Sequence, residues 1–231
     1  GYSLEERNAF TVEAQKAGYN IDFLLKTGLS LGGENNRPVV DRFRGSVLFP
    51  VHSISGKVVA FGGRILKKVE NVGKYVNSPE SDIYSKSKEL YGIYFAKSAM
   101  VKQDKCFLVE GYTDVLSMHQ AGIENVVASS GTALTHGQIR MIHRFTDNIT
   151  VLYDGDTAGI NAALRGIDLL LEDGMNVKVV LLPEGEDPDS FARKQNAESF
   201  HRYISENETD FIRFKTDLLI DEVGDDPIKR S

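Results

Sequence analysis

The chain has 231 residues, 41% of them hydrophobic and 26% charged, a composition that allows a substantial buried core and argues against wholesale disorder. No apolar run approaches the roughly 18 residues needed to span a bilayer, and no signal peptide opens the chain, so a soluble, cytoplasmic protein with no membrane partner is expected. The single cysteine, Cys106, excludes disulfide scaffolds and multi-cysteine zinc sites within this chain.

Cys106 heads the run Cys-Phe-Leu-Val and reads as a small core residue. The chain starts at Gly1 rather than at a methionine, which suggests a fragment of something longer. Its formal net charge is −6, unevenly spread: residues 1–105 carry 16 Lys and Arg against 11 Asp and Glu, whereas residues 106–231 carry 11 against 22. A basic part that holds phosphates and an acidic part that holds metal ions would produce this split, and so would two ordinary solvated surfaces.

In chain order, amphipathic helical patterns cover 4–17 and 20–27, each stopped near a glycine, Gly18 and Gly28. Residues 46–51 and 57–63 read as strands around a turn at Ser55-Gly56. Residues 67–90 are polar and irregular, and 92–101 suits a short helix. From 105 onward the pattern is more regular. Four β-rich apolar runs, Cys106–Val109, Asn125–Ala128, Ile149–Tyr153 and Val177–Leu182, alternate with helical patterns near 113–121, 136–144 and 157–173. Thr135 and Gln138 form a possible capping box, and the third helical pattern stops at Gly174. Such alternation predicts an α/β fold, a parallel sheet flanked by helices. Helical stretches at 190–194, 197–206 and 208–222 follow and read as the start of a helical subdomain. The predicted division is therefore an N-terminal basic α+β part over 1–104, a parallel-sheet domain over 105–195 and a C-terminal helical segment over 196–231.

The acidic residues fall at strand ends on that frame. Glu110 follows the first strand, Asp154 and Asp156 follow the third, and Asp187 and Asp189 follow the fourth. Ligands of open α/β sheets bind beyond the carboxyl ends of the strands, so these carboxylates are expected at one edge. Gathered carboxylates repel one another unless a cation neutralises them. Hard oxygen donors without histidine or cysteine select Mg²⁺ or Mn²⁺, ions suited to phosphoryl transfer. Taken singly, Asp-Gly-Asp also describes a common turn, and Asp187-Pro-Asp189 also describes a loop followed by an N-cap; the ordered combination points to a metal site.

The block from Cys106 to about Arg193 resembles the Toprim domain shared by bacterial primases, topoisomerases, OLD-type nucleases and RecR-type recombination proteins. Glu110 and the pair Asp154/Asp156 match that family's acidic positions. The rest of the chain resembles, more narrowly, the catalytic core of bacterial primases. The matching motifs are Arg42-Phe43-Arg44, Phe49-Pro50-Val51, Phe61-Gly62-Gly63-Arg64, Lys74-Tyr75-Val76-Asn77-Ser78-Pro79-Glu80, Lys86, Leu90-Tyr91-Gly92, Glu110-Gly-Tyr-Thr-Asp114, Ser130-Gly-Thr-Ala-Leu-Thr135 and Leu182-Pro-Glu-Gly-Glu-Asp187-Pro-Asp189.

The resemblance implies a DNA-templated ribonucleotidyl transferase that makes RNA primers on single-stranded DNA. Glu110, Asp154 and Asp156 would be catalytic, with Asp114, Asp187 and Asp189 completing the Mg²⁺ cluster and Mn²⁺ able to substitute. Arg64, Lys74 and Lys86, with Arg42 and Arg44, would contact template phosphates or the ribonucleoside triphosphate. A replicative helicase would be met through a domain outside this chain. A topoisomerase, a nuclease and a non-catalytic RecR-like scaffold are the alternatives. The loop Ser129–Thr135 suits either an anion or a tight strand–helix turn. Tyr75, Tyr84, Tyr91 and Tyr94 either stack bases or, for the most part, pack.

Overall fold

The computed structural model describes residues 1–33, 37–67, 73–131, 133–153 and 166–216. The chain divides into two compact units, Gly1–Tyr94 and Phe95–Ser231.

In the first unit a long hairpin joins β4 (Ser46–His52) to β5 (Val58–Ile65). Its antiparallel register runs from Ser46 opposite Ile65 to Val51 opposite Ala60, with an irregularity between Val51 and His52. Phe49 and Val51 of β4 and Ala60 of β5 are buried, so the hairpin has an apolar face as the period-2 pattern requires. Its tight turn needs Gly56: φ is +88°, and a Cβ there would meet the Tyr94 ring at 2.6 Å. The short β1 (Tyr2–Ser3) and β6 (Tyr75–Asn77) complete a sheet in the order β1-β4-β5-β6. A separate two-stranded ribbon pairs β2 (Ser30–Leu31) with β3 (Val40–Asp41).

Helix α1 (Ala9–Lys16) is shorter than the 4–17 pattern predicts, because its start is set from outside the helix. The Asp41 carboxylate, on β3, accepts hydrogen bonds from the Phe10 N–H (2.7 Å), the Thr11 N–H (2.9 Å) and the Thr11 hydroxyl (2.5 Å). A buried carboxylate on the first turn satisfies amides that a helix cannot satisfy itself. Leu4–Asn8 are left in turn, and β1 precedes them. Helix α2 (Ile21–Lys26) follows the expected pattern, capped by the Asn20 side chain accepting from Asp22 N–H. Among the described residues of the polar stretch 67–90 is a strand that its pattern does not reveal, β6.

Helix α3 (Ile93–Gln103) leads into the second unit. There β7 (Cys106–Val109), β8 (Val126–Ala128), β9 (Asn148–Tyr153) and β10 (Asn176–Leu181) form a parallel sheet. The two-residue β11 (Thr209–Asp210) adds antiparallel to β10, giving the order β11-β10-β9-β7-β8. Every residue of β7 and β8 is buried, as expected of parallel strands covered on both faces. Cys106 is among them, and burial pushes its thiol pKa up.

Helices α4 (Tyr112–Gln120) and α5 (His136–His143) follow β7 and β8. The capping box at α5 forms: Gln138 N–H donates to Thr135 Oγ1, and Thr135 N–H to Gln138 Oε1, each at 3.2 Å. Residues 166–172 are helical, within the predicted 157–173; the earlier part lies outside the described residues. After β10 come α6 (Pro188–Lys194) and α7 (Ala197–Asn207), joined by Phe191 packing on Phe200 and Tyr203.

The predicted helix over 208–222 is corrected at its start. Glu208 is extended, Thr209–Asp210 pair with β10, and 211–216 are helical as expected, while 217–222 lie outside the described residues. Glu208 explains the break: its carboxylate takes a hydrogen bond from Thr150 on β9 (2.5 Å) and ion pairs with Lys105 (2.5 Å) and Lys178 (3.1 Å). Two anchors on the sheet and one just before β7 override local helical preference. Among the described residues no helix is long and apolar enough to cross a membrane.

Candidate active site

The sheet order places a topological switch point between β7 and β9. The chain leaves β7 toward β8 on one side, then returns past β7 to place β9 and β10 on the other. At such a point the two connections diverge and leave a crevice beyond the carboxyl ends of the strands. Glu110 is the first residue after β7 and is exposed there. Its backbone is fixed from the next loop, where Ser130 N–H donates to the Glu110 carbonyl at 3.1 Å. Ser130 holds a left-handed φ of +58°, costly for a residue with a Cβ. Asp154 and Asp156, which directly follow β9, lie outside the described residues.

Helix α4 starts at Gly111, one residue past Glu110, and packs against α6. Asp114 is buried on its first turn and accepts the Gly111 N–H at 2.8 Å. Burial pushes its pKa up to about 6 against the pull of the Gly111 hydrogen bond; the negative charges of Asp187 and Asp189 raise it further, and the Asp189 backbone N–H opposes them. Asp114 therefore caps the start of its own helix and shares its charge environment with the start of α6.

Asp187 and Asp189 arrive on α6. Asp187 is the N-cap: its Oδ1 accepts Ser190 N–H at 2.6 Å, while its own N–H donates to Ser190 Oγ at 3.0 Å. The loop-then-N-cap reading of Asp-Pro-Asp is thus realised, with Pro188 in the first turn where a missing N–H does no harm. Asp189 Oδ1 accepts the Ser117 hydroxyl of α4 at 2.6 Å and pairs with Arg193 at 3.3 Å. Glu186, just before, is held by Lys194 and by Ser190 Oγ. Sequence reasoning missed Ser117. The available signal was its spacing, three residues after Asp114 and on the same helix face.

Among the described residues no group of three or more His, Cys, Asp or Glu side chains lies close enough to hold a metal ion. Asp114 nevertheless feels the charge of Asp187 and Asp189, and all three are hard oxygen donors of the kind Mg²⁺ and Mn²⁺ take. The donor chemistry fits such an ion.

The five predicted basic residues all belong to the first unit, and two lie at the β5–β6 ladder. Arg64 is cross-strand from Tyr75, with its guanidinium 5.8 Å from the ring centre, and Ile65 N–H bonds the Lys74 carbonyl. Lys86 follows in the loop after β6, its backbone N–H bound by the Glu80 carboxylate at 2.7 Å. Arg44 is exposed. Arg42 is committed structurally: its Nε donates to the Gly28 carbonyl at 2.6 Å. Gly28, at φ +68°, has Pro79 where a Cβ would sit.

Two of the four tyrosines pack inside. Tyr84 is buried and Tyr91 meets Phe49 edge-on, whereas Tyr94 stacks on His52 while exposed. Burial pushes the Tyr84 and Tyr91 hydroxyls up to about 12. Tyr75 is exposed.

Two family profiles match this chain: "DNA primase catalytic core, N-terminal domain" over residues 1–97 and "Toprim-like" over residues 107–192. The fold agrees with that of the RNA polymerase domain of the Mycobacterium tuberculosis primase DnaG, with a TM-score of 0.88, 32% identity, and coverage of 97% of this chain and 74% of that one. The chain belongs to the bacterial DNA primase family. A DnaG primase catalytic domain bound to single-stranded DNA is similar too, at 34% identity and a TM-score of 0.84, covering 100% of this chain and 74% of that one. The Clostridium acetobutylicum DNA primase is 41% identical over 224 residues, which is 97% of this chain and 37% of the relative. The chain thus spans a little over a third of that curated relative. It is the match over 1–97, outside the Toprim block, that separates this chain from topoisomerases, nucleases and RecR-like proteins sharing the same sheet.

Proposed function

We propose that this chain carries the ribonucleotidyl-transfer core of a primase, extending RNA primers on a single-stranded DNA template in the bacterial cytoplasm. The observation that carries this reading is the position of Glu110 at the β7/β9 switch point, on a chain whose α4 and α6 gather Asp114, Asp187 and Asp189. The working division is a basic part over 1–104, a catalytic part over 105–195 and a C-terminal part over 196–231. Glu110, Asp154 and Asp156 are the catalytic carboxylates. Together with Asp114, Asp187 and Asp189 they would hold divalent cations, Mg²⁺ or in its place Mn²⁺, whose bound form supplies charge neutralisation at the triphosphate and a lowered hydroxyl pKa.

The protein's own contribution is positioning. Ser130 fixes the Glu110 backbone, Asp114 fixes the start of α4, and Asp187 caps the helix that carries Asp189. Preorganised groups of this kind need no rearrangement when charge develops on the transferring phosphorus. Arg64, Lys74 and Lys86, with exposed Arg44, bind template or nucleotide phosphates; Arg42 supports them by locking the α2–β2 turn. The single-stranded DNA in the similar DnaG structure supports a template of that kind. A replicative helicase would act through a region beyond this chain.

The test is incorporation of labelled ribonucleotides on single-stranded DNA with Mg²⁺ or Mn²⁺. Products sensitive to ribonuclease and lost with a chelator support the reading. DNA degradation in their place would replace it with a nuclease.

A further inference from the structure

We propose that Ser117 is a positioning residue for Asp189, fixing the direction of that carboxylate toward the Asp114 end of α4; the inference rests on the metal-cluster reading given above. Asp189 has two partners for Oδ1, and they differ in what they can do. Arg193 lies one turn along the same helix, at 3.3 Å, with a side chain 71% exposed. A solvated i,i+4 pair of this sort contributes little, and it cannot relate α6 to any other element. Ser117 is different: it reaches across from α4, 72 residues earlier in the chain, with a short 2.6 Å hydrogen bond to a carboxylate only 15% exposed.

Ser117 and Asp114 share one face of α4, three residues apart, and the Asp189 charge reaches Asp114 from α6. Ser117 donates to the Asp189 side chain, so the carboxylate is tied to a second helix. Without that tie the side chain would be free to rotate about χ1 toward Arg193 and solvent. Hydrogen bonds that orient a ligating carboxylate characteristically change cation affinity by about 10–100-fold when removed. Glu186, just before α6, has its own tie to Lys194, so Ser117 serves Asp189 alone.

The experiment measures Mn²⁺ affinity by electron paramagnetic resonance on the 231-residue chain, alongside thermal melting without metal. It compares wild type, Ser117→Ala, Ser117→Thr and Glu110→Gln. Ser117→Ala should weaken Mn²⁺ binding about tenfold, Ser117→Thr should restore it because the hydroxyl returns, and the metal-free melting of both should stay near wild type. Wild-type affinity in Ser117→Ala, with affinity lost in Glu110→Gln, would overturn the role of Ser117 and leave the cluster standing. Equal Mn²⁺ binding in all four proteins would overturn the cluster reading and this inference with it. If Ser117→Ala lowers the melting temperature and Ser117→Thr binds Mn²⁺ as weakly, Ser117 is only a packing residue and the proposal fails.

Discussion

At the residue scale, single carboxylates in this protein do two jobs, and the jobs can be separated. Asp187 caps α6 through Oδ1 while contributing charge beside Asp114. Asp187→Asn keeps an acceptor and should leave stability nearly unchanged, whereas Asp187→Ala should cost about 1 kcal/mol in urea unfolding. Both should lose metal-dependent synthesis if the charge matters. Equal stability of the two variants would remove the capping role. Asp114 gives a pH signature. Its pKa rises from 3.8 to about 6 on folding, chiefly through burial. The folded state then holds a proton that the unfolded chain has released, so this contribution is complete below the unfolded value and is lost as pH rises through about 6. Between about pH 4 and pH 7, without metal, the wild type should lose stability relative to Asp114→Asn. Parallel stability–pH curves would contradict it.

At the scale of elements, what was legible in the sequence depended on length and on burial. The runs of β7 and β9 were readable because parallel strands covered on both faces are nearly continuous apolar stretches, and β10 because its exposed Asn176 and Lys178 alternate with buried valines. Pairings of two residues, such as β1, β2, β3 and β11, carry no periodicity to read. Where α1 begins was hidden because Asp41, 30 residues after Thr11, provides the cap. The break at 208–210 in the helical tail was hidden because Glu208 is bound by Lys105, Thr150 and Lys178. Acidic positions at strand ends were legible; the double role of Asp114 and the reach of Ser117 required knowing that α4 packs on α6.

The Glu208 anchor yields its own prediction. Burial pushes its pKa up, but hydrogen bonds from Lys105, Thr150 and Lys178 outweigh that and hold it below the ordinary 4.5. Its stabilisation is present above 4.5 and is lost as pH falls through the depressed value. Glu208→Gln should cost about 1–3 kcal/mol at neutral pH and less in acid, measured by urea unfolding. An unchanged stability at neutral pH would show that β11 holds without this anchor.

At the scale of the whole molecule, the sign of charge separates two tasks along the chain. The basic excess lies in residues 1–105 and the acidic excess in 106–231, so nucleic-acid affinity and catalysis should respond to different substitutions. Removing Arg64 and Lys74 together should weaken single-stranded DNA binding and reduce the slope of log affinity against log salt by about 0.7 for each phosphate no longer neutralised. Weaker binding with an unchanged slope would place both side chains away from phosphates.

Whether Glu110 stands at the chemical centre is decided by primer synthesis in Glu110→Gln, with single-stranded DNA binding measured on the same preparation. Ribonucleotide incorporation should fall by about 100-fold or more, as on removal of a preorganised catalytic group, while DNA binding is retained or slightly tighter. Synthesis at the wild-type rate would contradict this, because the carboxylate at the β7/β9 switch point would then lie outside the chemistry.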